Sequence, residues 1–195
     1  MQLALSMATF ALAASISPGP VNIVALNAGA RYGLSASLVH VSGATVGFIL
    51  LLLVCGLGLH EVLTLHPGLT RTIQWAGVLF LLYLAWRLAA DDGQLGDSHR
   101  PYPPSFMGGA LMQWLNPKAW MACVAGMGAF AADADRDHLW LFASIYFVVC
   151  FVSIGCWAWI GSRVRAHLQH PAGVRLFNRI LALSLVGCAA YLVTG

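Results

Sequence analysis

Two short stretches of this chain set helix-breaking residues beside polar side chains inside long apolar surroundings. The first is Ser15-Ile16-Ser17-Pro18-Gly19-Pro20-Val21-Asn22. The second is Gln113-Trp114-Leu115-Asn116-Pro117-Lys118-Ala119-Trp120, and it holds Lys118, the one lysine of the chain. Proline removes a backbone donor and clashes with the preceding turn, and glycine admits non-helical dihedrals, so a helix must open at each stretch. An opened helix presents free N–H groups and a positive dipole end after the break, and free carbonyls before it. After Pro20 and Pro117, and with Lys118 alongside, those groups suit a carboxylate. The carbonyls released before each break suit an ammonium group. A site with both poles fits a zwitterionic amino acid better than a simple anion or a sugar. Asn22, Gln113 and Asn116 add neutral hydrogen-bonding groups, and Trp114 or Trp120 is placed to stack on a cation or close the cavity. Ser17, Pro18, Gly19, Pro20 and Pro117 shape the two openings. The plainer alternatives are a packed proline kink and a lysine that snorkels to an interface.

His40 is the third feature, with Ser37, Gly43, Ala44 and Gly47 on nearly the same helical face. It is the only group inside the apolar runs that titrates near neutrality. All seven acidic residues fall outside those runs or at their edges. A proton-coupled mechanism would therefore use His40, Lys118 or the substrate itself. The alternative for His40 is a buried neutral imidazole bonded to a carbonyl. The spacings Gly29 to Gly33 and Gly43 to Gly47 fit close helix packing.

The elements that must hold these groups follow from composition. The chain has 195 residues, of which 59% are hydrophobic and 9% charged, with mean hydropathy +0.78. Soluble domains carry about 25% charged residues. Six runs, 3–28, 34–59, 69–90, 105–131, 139–161 and 174–193, approach the roughly 20 apolar residues that span a bilayer. Helices are expected, because unpaired peptide groups in hydrocarbon are costly and the alternation of a barrel strand is missing. The first run lacks a basic leader and stays apolar past Pro20, so it reads as a span, not a cleaved signal.

Arg31, Arg87, Arg100, Arg163, Arg165, Arg175 and Arg179 fall near one set of connections, against Arg71 and Arg136 on the other. The positive-inside rule then places the first, third and fifth loops in the cytoplasm and both termini on the periplasmic side. The net charge of +3 reports topology and not nucleic-acid binding. Cys55, Cys123, Cys150, Cys156 and Cys188 lie in apolar segments without a Cys-x-x-Cys pair and read as packing residues. Trp75, Trp86, Trp140, Trp157 and Trp159 lie toward helix ends, as interfacial belts require.

The polar stretch 91–104 divides the chain into a first three-helix half, 1–90, and a second, 105–195. Arg71 with Gln74 and Arg175 with Asn178 open the third and sixth runs alike, and the first and fourth runs are both broken by proline. An odd number of spans in each half would give inverted repeats. The expectation is an all-α integral membrane protein of six transmembrane helices in two inverted three-helix halves. No phosphate-binding glycine loop, His-Glu-x-x-His or Gly-x-Ser-Gly is present, which excludes ATP-driven transport within the chain and these hydrolytic chemistries.

Ser17-Pro18-Gly19-Pro20-Val21-Asn22, Tyr32-Gly33, His40 with Gly43 and Gly47, and Gln113 through Trp120 resemble the lysine-exporter (LysE/RhtB) family of amino-acid efflux proteins. Trp75-Ala76-Gly77 with Leu82 through Trp86, and Leu176-Phe177-Asn178-Arg179, extend the resemblance nearly end to end. It implies a secondary exporter of small neutral amino acids or their derivatives in the bacterial inner membrane. Proton drive, a small-molecule amino-acid substrate and no tightly bound cofactor are implied with it. The nearest members are those for cysteine or O-acetylserine and for threonine-type substrates. Many members carry aspartate or asparagine directly after Pro-Gly-Pro, whereas here Val21 precedes Asn22, so a carboxylate coupling site is missing. A membrane thiol-redox carrier and a non-transporting scaffold are the rival classes, and monomer or homo-oligomer is left open.

Overall fold

Proline decides where several helices start. The computed structural model describes residues 2–59, 67–92, 104–130, 136–164 and 170–194, and within them all regular structure is helical. Helices α1 (Gln2–Ile16) and α2 (Pro20–Tyr32) are two pieces of the first apolar run, bent by 62° at Ser17, Pro18 and Gly19. Helix α3 (Leu34–Val54) runs on into a π-helical turn, Cys55–Leu59, and α4 covers Pro67–Ala89. The fourth run is again split, into α5 (Phe106–Trp114) and α6 (Pro117–Phe130). Helices α7 (Arg136–Val164) and α8 (Pro171–Thr194) complete the order. Pro20, Pro67, Pro117 and Pro171 each stand at the first helical position, where the missing N–H has no intrahelical partner to lose.

Six long spans were expected, and the described residues contain three helices long and apolar enough to cross a membrane: Leu34–Gly58, Arg136–Val164 and Pro171–Ala190. The bent α1–α2 pair makes a fourth. Within α4 the described residues include a shorter apolar stretch, Trp75–Ala89. The fourth run yields helices of 9 and 14 residues, each shorter than the roughly 20 needed to span. Most of the 91–104 connector, and Glu61, Asp97, Asp133 and Asp135, lie outside the described residues.

Apolar side chains such as Leu5, Leu79, Met107, Val148 and Leu183 are more than half exposed, as a lipid-facing surface requires. Between helices in lipid the organising force is close fit, since lipid tails are as apolar as leucine. Glycine supplies that fit at two crossings. A Cβ on Gly29 of α2 would stand 2.0 Å from the Ala158 carbonyl oxygen of α7, and one on Gly161 of α7 would stand 1.9 Å from the Leu26 oxygen. On the α3–α5 crossing, a Cβ on Gly43 would stand 1.9 Å from the Phe106 oxygen and one on Gly109 would stand 2.2 Å from the His40 oxygen. The expected packing role of Gly29, Gly43 and Gly47 is thus observed. Gly33 does something else: at φ 82° it turns the chain directly from α2 into α3, a conformation that favours glycine. Helices α4 and α8 pair through Val78, Leu81 and Ala85 against Leu181, Leu185 and Ala189.

Candidate functional site

At the first break, three residues stay out of the helix and the carbonyls before it are all met by partners. Ser15 O accepts from Asn22 Nδ2 at 2.8 Å, and Ile16 O accepts from Trp157 Nε1 at 3.0 Å. Ser17 O accepts from Lys118 Nζ at 2.6 Å, while Ser17 Oγ lies 2.9 Å and Pro18 O 3.4 Å from the same ammonium. Gly19 has φ −165° and ψ 174°, extended backbone that any residue adopts, so freedom of dihedral is not its contribution here. Space is: a Cβ on Gly19 would lie 3.1 Å from Lys118 Cδ and 3.2 Å from Nζ. No side chain caps the N-terminus of α2, which leaves a positive dipole end at the break.

The second break caps itself. Asn116 Oδ1 accepts from Lys118 N at 3.2 Å, so Asn116, Pro117 and Lys118 read as N-cap, first and second helical positions. Its Nδ2 lies 3.4 Å from Gln113 Oε1. Both helix ends were expected to face a carboxylate, and they differ in the structure: the N-terminus of α6 is capped by Asn116, while that of α2 has no side-chain cap. The expected substrate ammonium position is also filled from within the protein, because the carbonyls at the first break hold the ammonium of Lys118.

The two breaks enclose a cavity of about 30 Å³, lined by Asn22, Gln113, Asn116 and Lys118 together with Phe48 and Tyr146. That leaves room for little more than a water, so the site as it stands does not hold an amino acid. A second cavity is far larger, about 670 Å³, and holds no proline break. Its walls come from the end of α2 (Asn27, Arg31), the early turns of α3 (His40), the end of α4 (Arg87, Asp91) and the start of α5 (Ser105). The cavities follow one another along α2, with Val21 and Asn22 on the small one and Val24, Asn27 and Ala28 on the large one. The small cavity has the chemistry of the breaks and the large one has the room. They read as successive parts of one path.

The family model of the LysE type translocators matches residues 12–195. The chain belongs to that family. Among curated relatives of this LysE-family chain, a cysteine/O-acetylserine efflux protein of Klebsiella pneumoniae is 29% identical over 95% of this chain and 94% of its own length. The cysteine/O-acetylserine efflux proteins of Salmonella typhimurium and Escherichia coli K12 are 27% and 26% identical, each over 93% of this chain and 92% of their own. No solved structure matches it.

Of the candidate residues in this LysE-family chain, Ser17, Pro18, Gly19, Asn22, Gln113, Asn116 and Lys118 come together at the breaks. Trp114 does not line the small cavity; its carbonyl accepts from Trp120 Nε1 at 2.8 Å and its ring meets that of Trp120 edge-on at 6.3 Å. His40 stands apart on the large cavity, 5% exposed, with Nε2 lacking a hydrogen-bond partner. The carbonyl bond suggested as its alternative role is absent at that nitrogen. Trp157, assigned to the interfacial belt, instead donates to the first break. Sequence reasoning also missed Tyr146, which is fully buried and stacks on Phe48 at 4.3 Å, the Asn27 Nδ2 to Asn178 Oδ1 bond of 2.8 Å, and the Arg31–Asp91 ion pair. A polar residue within an apolar run was signal enough for Asn27 and Asn178. Cys55, at the start of the π-helical turn after α3, and Cys123 of α6 bring their thiols together, both buried and unbridged, a contact that Cys-x-x-Cys spacing could not announce.

Proposed function

We propose that this chain is a secondary transporter that exports small neutral amino acids or their derivatives across the bacterial inner membrane by alternating access. The observation that carries the reading is the seal between the two breaks: Lys118 Nζ on Ser17 O and Oγ, beside a cavity too small for an amino acid, with the large cavity next along α2. In this proposal the substrate carboxylate displaces the Ser17 groups and binds between Lys118 and the open end of α2. Asn22, Gln113 and Asn116 take the remaining polar contacts, and Trp114 with Trp120 backs the second break. The names of the relatives, cysteine/O-acetylserine efflux protein, support a small neutral substrate.

Proton drive is assigned to His40, an imidazole buried on the large cavity that also holds the Arg31–Asp91 pair, Arg87 and Asp92. Proteoliposomes containing the purified chain and loaded with serine, cysteine or O-acetylserine are expected to release at least one of them when a proton gradient is applied. With His40→Gln, gradient-driven release is lost while substrate exchange across the membrane persists. No release of any amino acid by the wild type sinks the transport reading. Equal gradient response in His40→Gln removes the proton role.

Six spans in two inverted halves remain part of the proposal. Support comes from contacts that match between the halves: α1 lies on α7 as α5 lies on α3, and α3 with α7 and α4 with α8 pair across the middle, although the extensive α2–α7 contact has only a small counterpart in α6 with α3. The end of α2, the end of α4 and the start of α5 all border the large cavity, which fits three traversals before the connector. On the proposed topology that cavity opens to the cytoplasm. Reporter fusions after His66 and after Gly96 are expected to report periplasm and cytoplasm respectively, and the same face for both would overturn the three-plus-three arrangement.

A further inference from the structure

The seal at Lys118 leaves the larger cavity without an assignment, and its charges are arranged unlike those of the breaks. Among the described residues it is lined by Arg31, Arg87, Asp91 and Asp92, two bases and two acids whose formal charges cancel. Arg31 and Asp91 form an ion pair in which the side chains are only 14% and 6% exposed. Breaking such a buried pair is unfavourable unless its contacts are replaced. A lone anion taking Arg31, or a lone cation taking Asp91, would break the pair and replace only one side of it. A zwitterion replaces both: its carboxylate replaces Asp91 on Arg31 as its ammonium replaces Arg31 on Asp91. The same walls hold His40 with its unpartnered, buried Nε2, and Phe80, Leu84 and Met112 beside it suit a short side chain. A volume of about 670 Å³ lies in the usual range of small-molecule sites, about 300–1,000 Å³.

We propose that this vestibule is a loading site, separate from the Lys118 site, at which an α-amino acid inserts into the Arg31–Asp91 ion pair, carboxylate to Arg31 and ammonium to Asp91. The inference rests on the reading of the chain as an amino-acid carrier. It adds the rule by which substrate is admitted. Net-neutral amino acids exchange ion pair for ion pair, while simple carboxylates replace only one side of the pair and lysine-like cations bring an extra charge. The bound molecule's Arg31 contact then lies about two and a half turns of α2 beyond Asn22 and the small cavity.

The test uses the full chain in lipid nanodiscs, carrying Lys118→Ala so that binding reports the vestibule alone. Radiolabelled L-serine is displaced by unlabelled L-serine, by N-acetyl-L-serine, which lacks the ammonium, or by L-serine methyl ester, which lacks the carboxylate. L-serine is expected to compete better than either analogue, and Arg31→Gln or Asp91→Asn to weaken it about tenfold, the loss of one charge-assisted contact. In Asp91→Asn the N-acetyl compound becomes as good a competitor as serine, and in Arg31→Gln the methyl ester does. The double exchange Arg31→Asp with Asp91→Arg restores serine binding, which guards against misfolding of the single variants. A pair that merely latches α2 to α4 would shift all three competitors alike, and that outcome overturns the proposal. So does serine binding that ignores both substitutions, or no serine binding in the Lys118→Ala chain while the wild type still exports amino acids. Binding with the predicted charge dependence, in a chain that releases no amino acid from proteoliposomes, upholds the vestibule and sinks the transport reading instead.

Discussion

Lys118→Ala is expected to lower amino-acid efflux from proteoliposomes about a hundredfold. In the closed arrangement the ammonium donates to Ser17 O at 2.6 Å and lies 2.9 Å from Ser17 Oγ. In the proposed loaded state the same ammonium meets the substrate carboxylate. Each charge-assisted bond contributes about 1.5–3 kcal/mol net, and two at the lower bound amount to about 3 kcal/mol, close to a hundredfold in rate. The substitution also strips the carbonyls of Ser17 and Pro18 of their shared donor at a depth where water is scarce. Lys118→Arg keeps the charge without rescuing the rate, because the close approach of Gly19, 3.1 Å from Lys118 Cδ to a Cβ placed there, leaves no room for the broader guanidinium. Initial efflux rates of purified variants measured at equal reconstituted amounts decide it. A Lys118→Ala rate within twofold of wild type would remove Lys118 from the site.

The second large effect concerns the scaffold. Gly29→Ala puts a methyl group 2.0 Å from the Ala158 oxygen, and Gly161→Ala puts one 1.9 Å from the Leu26 oxygen, so α2 and α7 must separate along their whole crossing. Overpacking of this kind costs about 3 kcal/mol. The cost is paid with no hydrophobic gain between helices already in lipid. Gly155→Ala and Gly187→Ala are the internal controls, since nothing lies within 4 Å of a Cβ at either position and alanine is the better helix former. Heated detergent-solubilised protein, followed by its monodisperse fraction on size exclusion, should lose Gly29→Ala and Gly161→Ala well before wild type and keep both controls. Equal melting of Gly29→Ala and Gly187→Ala would show that the crossing tolerates looser packing than its geometry demands.

The α2–α7 crossing matters for function as well as for stability. Helix α2 carries Pro20 and Asn22 at the small cavity and Asn27 and Arg31 at the large one. A turn of α2 about the Gly29–Ala158 contact would move the first break relative to Lys118 without separating α2 from α7. The Gly33 turn at φ 82° and the 62° bend at Pro18 and Gly19 lie at the two ends of α2, where backbone rearrangement costs fewest helical hydrogen bonds.

The breaks, their order and the half-buried position of one lysine were legible from residue types alone. Proline acts on its own turn whatever surrounds it, and Pro20 and Pro117 start helices where local chemistry says they should. Asn116 next to Pro117 is a helix cap by the same local logic, although sequence reasoning gave it to the substrate. The number of membrane-crossing helices was less legible, because hydropathy registers the run through Asn116 and Pro117 as continuous while the backbone divides it into pieces of 9 and 14 residues.

What no local rule could supply is which groups meet. Lys118 and Ser17 are 101 positions apart, Trp157 and Ile16 are 141 apart, and Asn27 and Asn178 are 151 apart. Their pairing depends on how closely the helices approach, and that is decided at Gly29, Gly43, Gly109 and Gly161, where two backbones touch. The first break therefore came from the sequence as a set of open carbonyls and came from the tertiary structure as a set of filled ones. Short-range backbone chemistry, which proline and glycine carry in themselves, marked the place. The identity of the ammonium held there, and the vestibule beyond it, depended on long-range packing between helices.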